Sequence, residues 1–282
     1  MTFPVIDTHV HLLDPAQVNY PWLSEVPPLN RAFVQADFQA ASAGLGVEKM
    51  VFMEVDAHPD EGLNEVAWVT RLAQTEPRLQ GIVAFAPLER GAAVQPYLQE
   101  LVKYPLVKGV RRLIQAEGPG FSIQPDFVKG VQLLAEFGLS FDICIKHHQL
   151  NDILSLVAQC PDVSFVLDHI GKPDIAGQLF DPWRAEITAL AKFANVQCKL
   201  SGVVTEADHQ SWSRADVKPY LDHVIAAFGP DRIMYGGDWP VSTLATTYRG
   251  WFETLIWATE SFSDEARHKL FYQNALDFYK LS

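Results

Sequence analysis

Positive charge is scarce in this chain. Its 282 residues carry 22 Lys and Arg against 34 Asp and Glu, a formal charge of −12, and no basic block stands out. Such a field repels phosphate backbones and anionic lipid surfaces, which argues against nucleic-acid and membrane partners. Cysteine is nearly absent too. Cys144, Cys160 and Cys198 are far apart and lack C-x-x-C spacing, so they read as reduced, mostly buried thiols of a reducing compartment. No apolar run approaches the roughly 18 residues a membrane helix needs. Met1-Thr2-Phe3-Pro4 has neither the basic nor the apolar region of a secretory leader. No low-complexity tract, linker or internal repeat is present. These absences lead us to expect a soluble, cytoplasmic chain forming a single domain over residues 1–282.

What is present is globular: 48% hydrophobic and 20% charged residues, in a chain long enough to bury a sizeable core. Eight short β-branched or apolar runs recur at Pro4–Leu13, Lys49–Val55, Leu79–Leu88, Val107–Ile114, Leu139–His147, Val163–Ile170, Val196–Val203 and Ile233–Pro240. Most are continuously apolar, as strands buried on both faces are. Helical spacing fills Glu61–Thr75, Asp126–Phe137, Gln149–Gln159, Pro182–Phe193 and Asp216–Phe228, with Thr246–Glu260 and Asp264–Tyr279 closing the chain. Gly138 and Gly229-Pro230 supply stop signals. Eight alternating units, with no G-x-G-x-x-G after the first strand, predict an α/β fold, a single (β/α)8 TIM barrel. The Pro-rich stretch Asp14–Arg31 would lie over its mouth.

The first run contains Asp7-Thr8-His9-Val10-His11. A period of two sets Asp7, His9 and His11 on one face, pointing into the barrel, and Ile6, Thr8, Val10 and Leu12 on the other. Two imidazoles two residues apart on a strand can chelate one divalent ion, although a lone H-x-H is common by chance. His169 ends the sixth run and, alone, is an ordinary strand-end histidine. Asp238 ends the eighth and, alone, is a helix cap or turn residue. Together they mark the C-terminal ends of strands one, six and eight, the face where barrel enzymes place their sites.

That combination, with DTHVHLLDP, YPWL, VKGVRRLIQ, GLSFDICI, FVLDHIGKP, CKLSGV and YGGDWPV in order along most of the chain, resembles the amidohydrolase superfamily. Within it, the chain looks like the branch holding sugar lactonases such as L-fuconolactonase and L-rhamnonolactonase. The resemblance implies a hydrolase that opens a small, sugar-derived lactone to its hydroxy acid. Asp238 would be the general base on water and then return the proton to the departing alkoxide. His9, His11, His169 and Asp238 would hold one divalent metal ion, zinc for preference, that acidifies the water and polarises the carbonyl. His169 could instead hydrogen-bond the water or the carbonyl.

Binuclear members carry a lysine on strand four and a histidine on strand five. Here strand four ends Gly109-Val110-Arg111-Arg112, without such a lysine. The branch also has members without metal, in which arginine and histidine polarise the carbonyl. Arg111 matches the family arginine and suits a lactone carbonyl or product carboxylate, and Arg112 would pair with a helix carboxylate. Trp22 could stack on a sugar ring or anchor its loop. Asp142 could bind substrate hydroxyls or fix Lys146. Alternation puts Asp142, Cys144 and Lys146 opposite His147, and which of Lys146 and His147 contacts substrate stays open. Lys199 and Ser201 share a strand-seven face, and Glu54 and Asp56 are weaker candidates. His58, His209, His223 and His268 read as surface residues. The expected partner is a small-molecule substrate, and a homo-oligomer is compatible. The rivals are a metal-dependent decarboxylase of the same superfamily and a binding protein that lost the chemistry.

Overall fold

The computed structural model describes residues 3–282, so Met1 and Thr2 of the stretch read for a leader lie outside it. Eight strands form one all-parallel sheet in sequence order: β1 Val5–Val10, β2 Val47–Met53, β3 Leu79–Phe85, β4 Val107–Arg111, β5 Ser140–Ile143, β6 Phe165–Leu167, β7 Val196–Leu200 and β8 Ile233–Tyr235. The ring closes beyond β8, where Val10 bridges Trp239. There Asp238 N donates to His9 O at 2.8 Å and His11 N to Trp239 O at 2.7 Å. The backbone seam that shuts the barrel therefore also sets Asp238 between the two histidines.

Helices α1 Gln35–Ala41, α2 Gly62–Leu72, α3 Gln95–Leu101, α4 Pro125–Glu136, α5 Leu150–Gln159, α6 Trp183–Leu190, α7 Arg214–Phe228 and α8 Tyr248–Ala258 connect the strands or come after the last. The sequence pattern predicts no helix at α1 or α3. Each is only seven residues long, too short for a 3.6-residue period to repeat. The stretch Asp264–Tyr279, expected as one helix, is α9 Asp264–His268 and α10 Asn274–Phe278 joined by a wide π turn, Lys269–Gln273. Strands five, six and eight end earlier than their apolar runs, because the residues after Ile143, Leu167 and Tyr235 leave the ladder for the site loops.

Two apolar layers result. The larger lies between sheet and helices. The smaller fills the lower barrel with Ile6, Val51, Met53, Val83, Val166 and Met234, capped by Ala275, Tyr279 and Leu281. The upper interior is polar.

One outer contact shapes the mouth. Glu65 of α2 is fully buried, and its Oε1 accepts from Val55 N at 3.2 Å just beyond β2. This pins the corner where Asp56 adopts a left-handed conformation, φ 52°. Burial, reinforced by the nearby Glu54 charge, holds the Glu65 carboxyl well above its ordinary 4.5. The folded chain thus keeps a proton that the unfolded chain loses. Stability falls as pH rises above 4.5, by about 1.4 kcal/mol per pH unit until the folded carboxyl ionises. Glu65→Gln keeps the acceptor and removes the penalty. Its melting temperature should match wild type at pH 4 and exceed it increasingly as the pH rises above 5, and a pH-independent difference would contradict this.

Candidate active site

Strict alternation along β1 does not hold. Asp7 pairs with Met50 of β2 and Val10 with Phe52, so β1 carries one extra residue between them. This bulge switches the facing. Ile6 joins the interior layer, and Asp7, expected inside, turns outward. There Asp7 accepts from Tyr248 of α8 (2.7 Å), Gly237 N (2.8 Å) and His9 N (2.9 Å). Burial pushes the Asp7 carboxyl up to about 6 against those three hydrogen bonds. His9 then enters the barrel. Gly236 leaves it room: a Cβ there would lie 2.8 Å from Ser201 Cβ and 2.9 Å from His9 Cβ.

His11 Nδ1 lies 3.0 Å from Met53 O, a pure acceptor, so Nδ1 carries the proton and Nε2 offers a lone pair. His169 stands in a run of four left-handed residues, His169, Ile170, Gly171 and Lys172, with φ between 47° and 75°. Non-glycine residues in that region cost about 1–3 kcal/mol each and persist where surroundings over-determine them. Here Trp183 Nε1 donates to Ile170 O (2.8 Å), Lys172 N to His169 O (2.9 Å), and Ser201 Oγ meets His169 Nδ1 (2.9 Å). Asp238, φ 52°, completes the set. Its Oδ1 lies 3.4 Å from His11 Nε2, 3.6 Å from His9 Nε2 and 3.9 Å from His169 Nε2. Burial works against the charge of Asp238, but His169 and His11 outweigh it and hold the carboxyl below its ordinary value. Burial also holds His9 and His169 well below theirs. The Asp238 carboxylate stands among three imidazoles.

Below lies a buried ionic layer. Lys199 Nζ sits between Asp142 Oδ2 (2.6 Å) and Asp168 Oδ1 (3.1 Å), and Tyr279 OH donates to Asp142 Oδ2 at 2.6 Å. Arg111 Nε donates to Glu54 Oε1 at 2.7 Å, while Nη1 lies 3.4 Å from Asp168 and 3.3 Å from His9 Nε2. Four acidic side chains, Glu54, Asp142, Asp168 and Asp238, lie here, and the cations in direct contact with them are Arg111 and Lys199, with Lys172 acting on Asp238 from the cavity wall. Acidic side chains thus outnumber the cations in direct contact with them in this buried layer. His9 Nδ1 and Asp168 Oδ1 are buried 3.4 Å apart, and Asp168 Oδ1 is shared between His9 and Lys199. His9, His11 and Asp238 offer atoms within 4.8 Å of one another, as do His9, Asp168 and His169. Nitrogen and carboxylate donors beside unbalanced negative charge suit a divalent cation.

A cavity of about 220 Å³ opens above, lined by His11, His169, Asp238 and Arg111 and walled by Trp22, Asp56, Gln115, Cys144 and Lys172. Its size fits a molecule of one small ring. Trp22 Nε1 donates to Val55 O at 2.8 Å, which anchors the indole at the rim. Arg112 faces outward onto Glu89 and Glu117. Three candidates stand away from the cavity. Asp142 lies beneath it on Lys199 and Tyr279, and does not fix Lys146. Lys146, its side chain 40% exposed, pairs with Glu206 at 3.0 Å. His147 begins the turn before α5 and packs on His148. The cause is the early end of β5, after which Cys144 takes the cavity position. Sequence reasoning missed Asp168, although it shares strand parity with Val166, and missed Lys172 within HIGKP. No local signal marks Gln115, or Tyr279, which lies 137 residues from its partner Asp142.

The sequence model of the amidohydrolase family matches residues 6–281. The L-fucono-1,5-lactonase of Burkholderia multivorans is 31% identical over 285 residues, covering 90% of this chain and 90% of that one. The L-rhamnono-gamma-lactonase of Scheffersomyces stipitis is 26% identical, covering 99% of each. A zinc-bound crystal structure of a Burkholderia multivorans amidohydrolase superposes with a TM-score of 0.87 at 30% identity, covering 99% of this chain and 100% of that one. With its barrel and the whole described domain matched, this chain belongs to the amidohydrolase family of hydrolytic enzymes.

Proposed function

We propose that this enzyme opens a small lactone by attack of water, with Asp238 as the base. The observation that carries the reading is the convergence of His9, His11 and His169 on Asp238 Oδ1 at the floor of the cavity. Two relatives named as sugar lactonases support it.

Asp238, kept ionised by His169 and His11, takes a proton from water. The water oxygen bonds to the lactone carbonyl carbon, and the carbonyl pair moves onto its oxygen. That pair then returns, the bond to the ring oxygen breaks, and Asp238 gives its proton to the alkoxide. The product is the hydroxy acid. Arg111, at the cavity wall and beside His9 Nε2, faces the charge that develops on the carbonyl oxygen. His9, His11, His169 and Asp238 would hold one divalent ion, zinc by preference, which when bound supplies Lewis acidity and a more acidic water. His11 is fixed for that role by Met53 O.

Asp238→Asn should lower kcat by about 10²–10⁴-fold while circular dichroism shows an unchanged fold, and a variant at wild-type rate overturns the assignment. Acid release in weak buffer, with the pH falling, is the expected signal on a sugar lactone, whereas decarboxylation would raise the pH. Elemental analysis should find one divalent ion per chain, and chelation should stop acid release until zinc is restored. Release that survives full chelation removes the ion from the reading and leaves polarisation to Arg111 and His169. Gly202, φ +57°, packs so closely that an added Cβ would press on the His169 ring and lie 2.8 Å from Asp238 Oδ2. Gly202→Ala should therefore cost about 10²-fold in kcat, read in the same assay.

A further inference from the structure

The lactonase reading leaves open what the substrate carries around its ring. Above the reacting atoms, one stretch of cavity wall is built by two side chains from different loops. Gln115 lies just beyond β4, and Lys172 ends the left-handed run that carries His169. Lys172 Nζ donates to Gln115 Oε1 at 2.6 Å, and Cys144 Sγ approaches the same oxygen at 3.7 Å. The amide is thereby oriented: its oxygen is engaged, and its NH2 has no hydrogen-bond partner among the described residues. An ammonium has three donors, and Gln115 takes only one.

The charge of Lys172 has two carboxylates near it, Glu206 and Asp238. Glu206 Oε1 lies 4.0 Å from Nζ, outside hydrogen-bond range, and the other Glu206 oxygen receives Lys146. Asp238 acts on Lys172 from the floor of the same cavity, so Lys172 and Gln115 present several N–H groups whose single positive charge lies between two carboxylates. At the lip, exposed Asp56 is held by its own N–H on Glu54 Oε2 (2.7 Å), placing a carboxylate where an acid-bearing substrate would enter. Donors without excess positive charge, behind an anionic lip, suit neutral hydroxyl oxygens better than carboxylates.

We propose that Lys172 and Gln115 are specificity-determining residues that bind ring hydroxyls, so that the enzyme selects a neutral, polyhydroxylated lactone; this rests on the lactonase reading. The test compares L-fucono-1,5-lactone and D-glucono-1,5-lactone with δ-valerolactone, which has the same ring size and no hydroxyls, using wild type, Lys172→Met and Gln115→Leu. The readout is kcat/KM on the better hydroxylated lactone divided by that on δ-valerolactone. Each variant should lower this ratio roughly 10- to 100-fold, mainly through KM on the hydroxylated substrate. A ratio within two-fold of wild type in both variants overturns the proposal, whether both activities hold or fall together. In the second case Lys172 and Gln115 merely support the turn beneath His169. The two failures are distinguishable. A wild-type enzyme inert toward all three lactones defeats the lactonase reading, whereas an active wild type with unchanged ratios defeats only this assignment.

Discussion

The structure depends on seating four acidic side chains in the upper barrel with only two cationic side chains in direct contact with them. Glu54, Asp142, Asp168 and Asp238 are all buried there, and Arg111 and Lys199 are the matching charges. Buried charges are tolerated when paired and fully hydrogen-bonded, and removing one partner is far more damaging than never having had the pair. Each cation here serves two carboxylates, so the layer is one connected unit rather than a set of separate bridges. Asp238 is the member without a lysine or arginine of its own, and it faces the cavity. The unbalanced charge is thus delivered where a water or a cation can use it. Asp168 is held well below its ordinary value because Lys199 and His9 outweigh its burial, which keeps the layer charged.

Side-chain placement at the rim is largely a backbone matter. The extra residue in β1 lets Ile6 fill the lower barrel and His9 enter the upper one within four positions. Left-handed turns at Asp56, His169 and Asp238 end the ladders of three strands abruptly and redirect the chain into the site loops. Gly202 and Gly236 contribute by what they lack, since a methyl at Gly202 would press on the His169 ring and one at Gly236 on the Cβ atoms of His9 and Ser201. Such strain is a recurrent feature of functional sites, held in place by surrounding hydrogen bonds.

Much of this was legible in the sequence. Eight apolar runs alternating with helical spacing are strong signals, because strands buried on both faces must be apolar throughout, and the barrel emerged from their count. His9, His11, His169 and Asp238 were legible because chemistry-bearing residues interrupt apolar runs at strand ends. The outward turn of Asp7 was not legible, since a bulge has no residue signature in VIDTHV. Lys146 and His147 were misplaced because the apolar run continues past the point where β5 leaves the ladder. Tyr279 could not be paired with Asp142 by any local pattern, because their meeting depends on how the C-terminal helix plugs the barrel.

The seam between Val10 and Trp239 has a consequence for how the enzyme comes into being. His9 and Asp238 meet only where the first and last strands of the barrel are joined, across more than two hundred intervening residues. A half-formed barrel, however much helix and sheet it contains, therefore has Asp238 and the His9–His11 pair on separate edges. The cluster is assembled all at once, with ring closure. Non-local contacts of this kind form late, after the loop entropy of the whole chain has been lost. Nascent or partly unfolded copies thus lack the assembled cluster altogether.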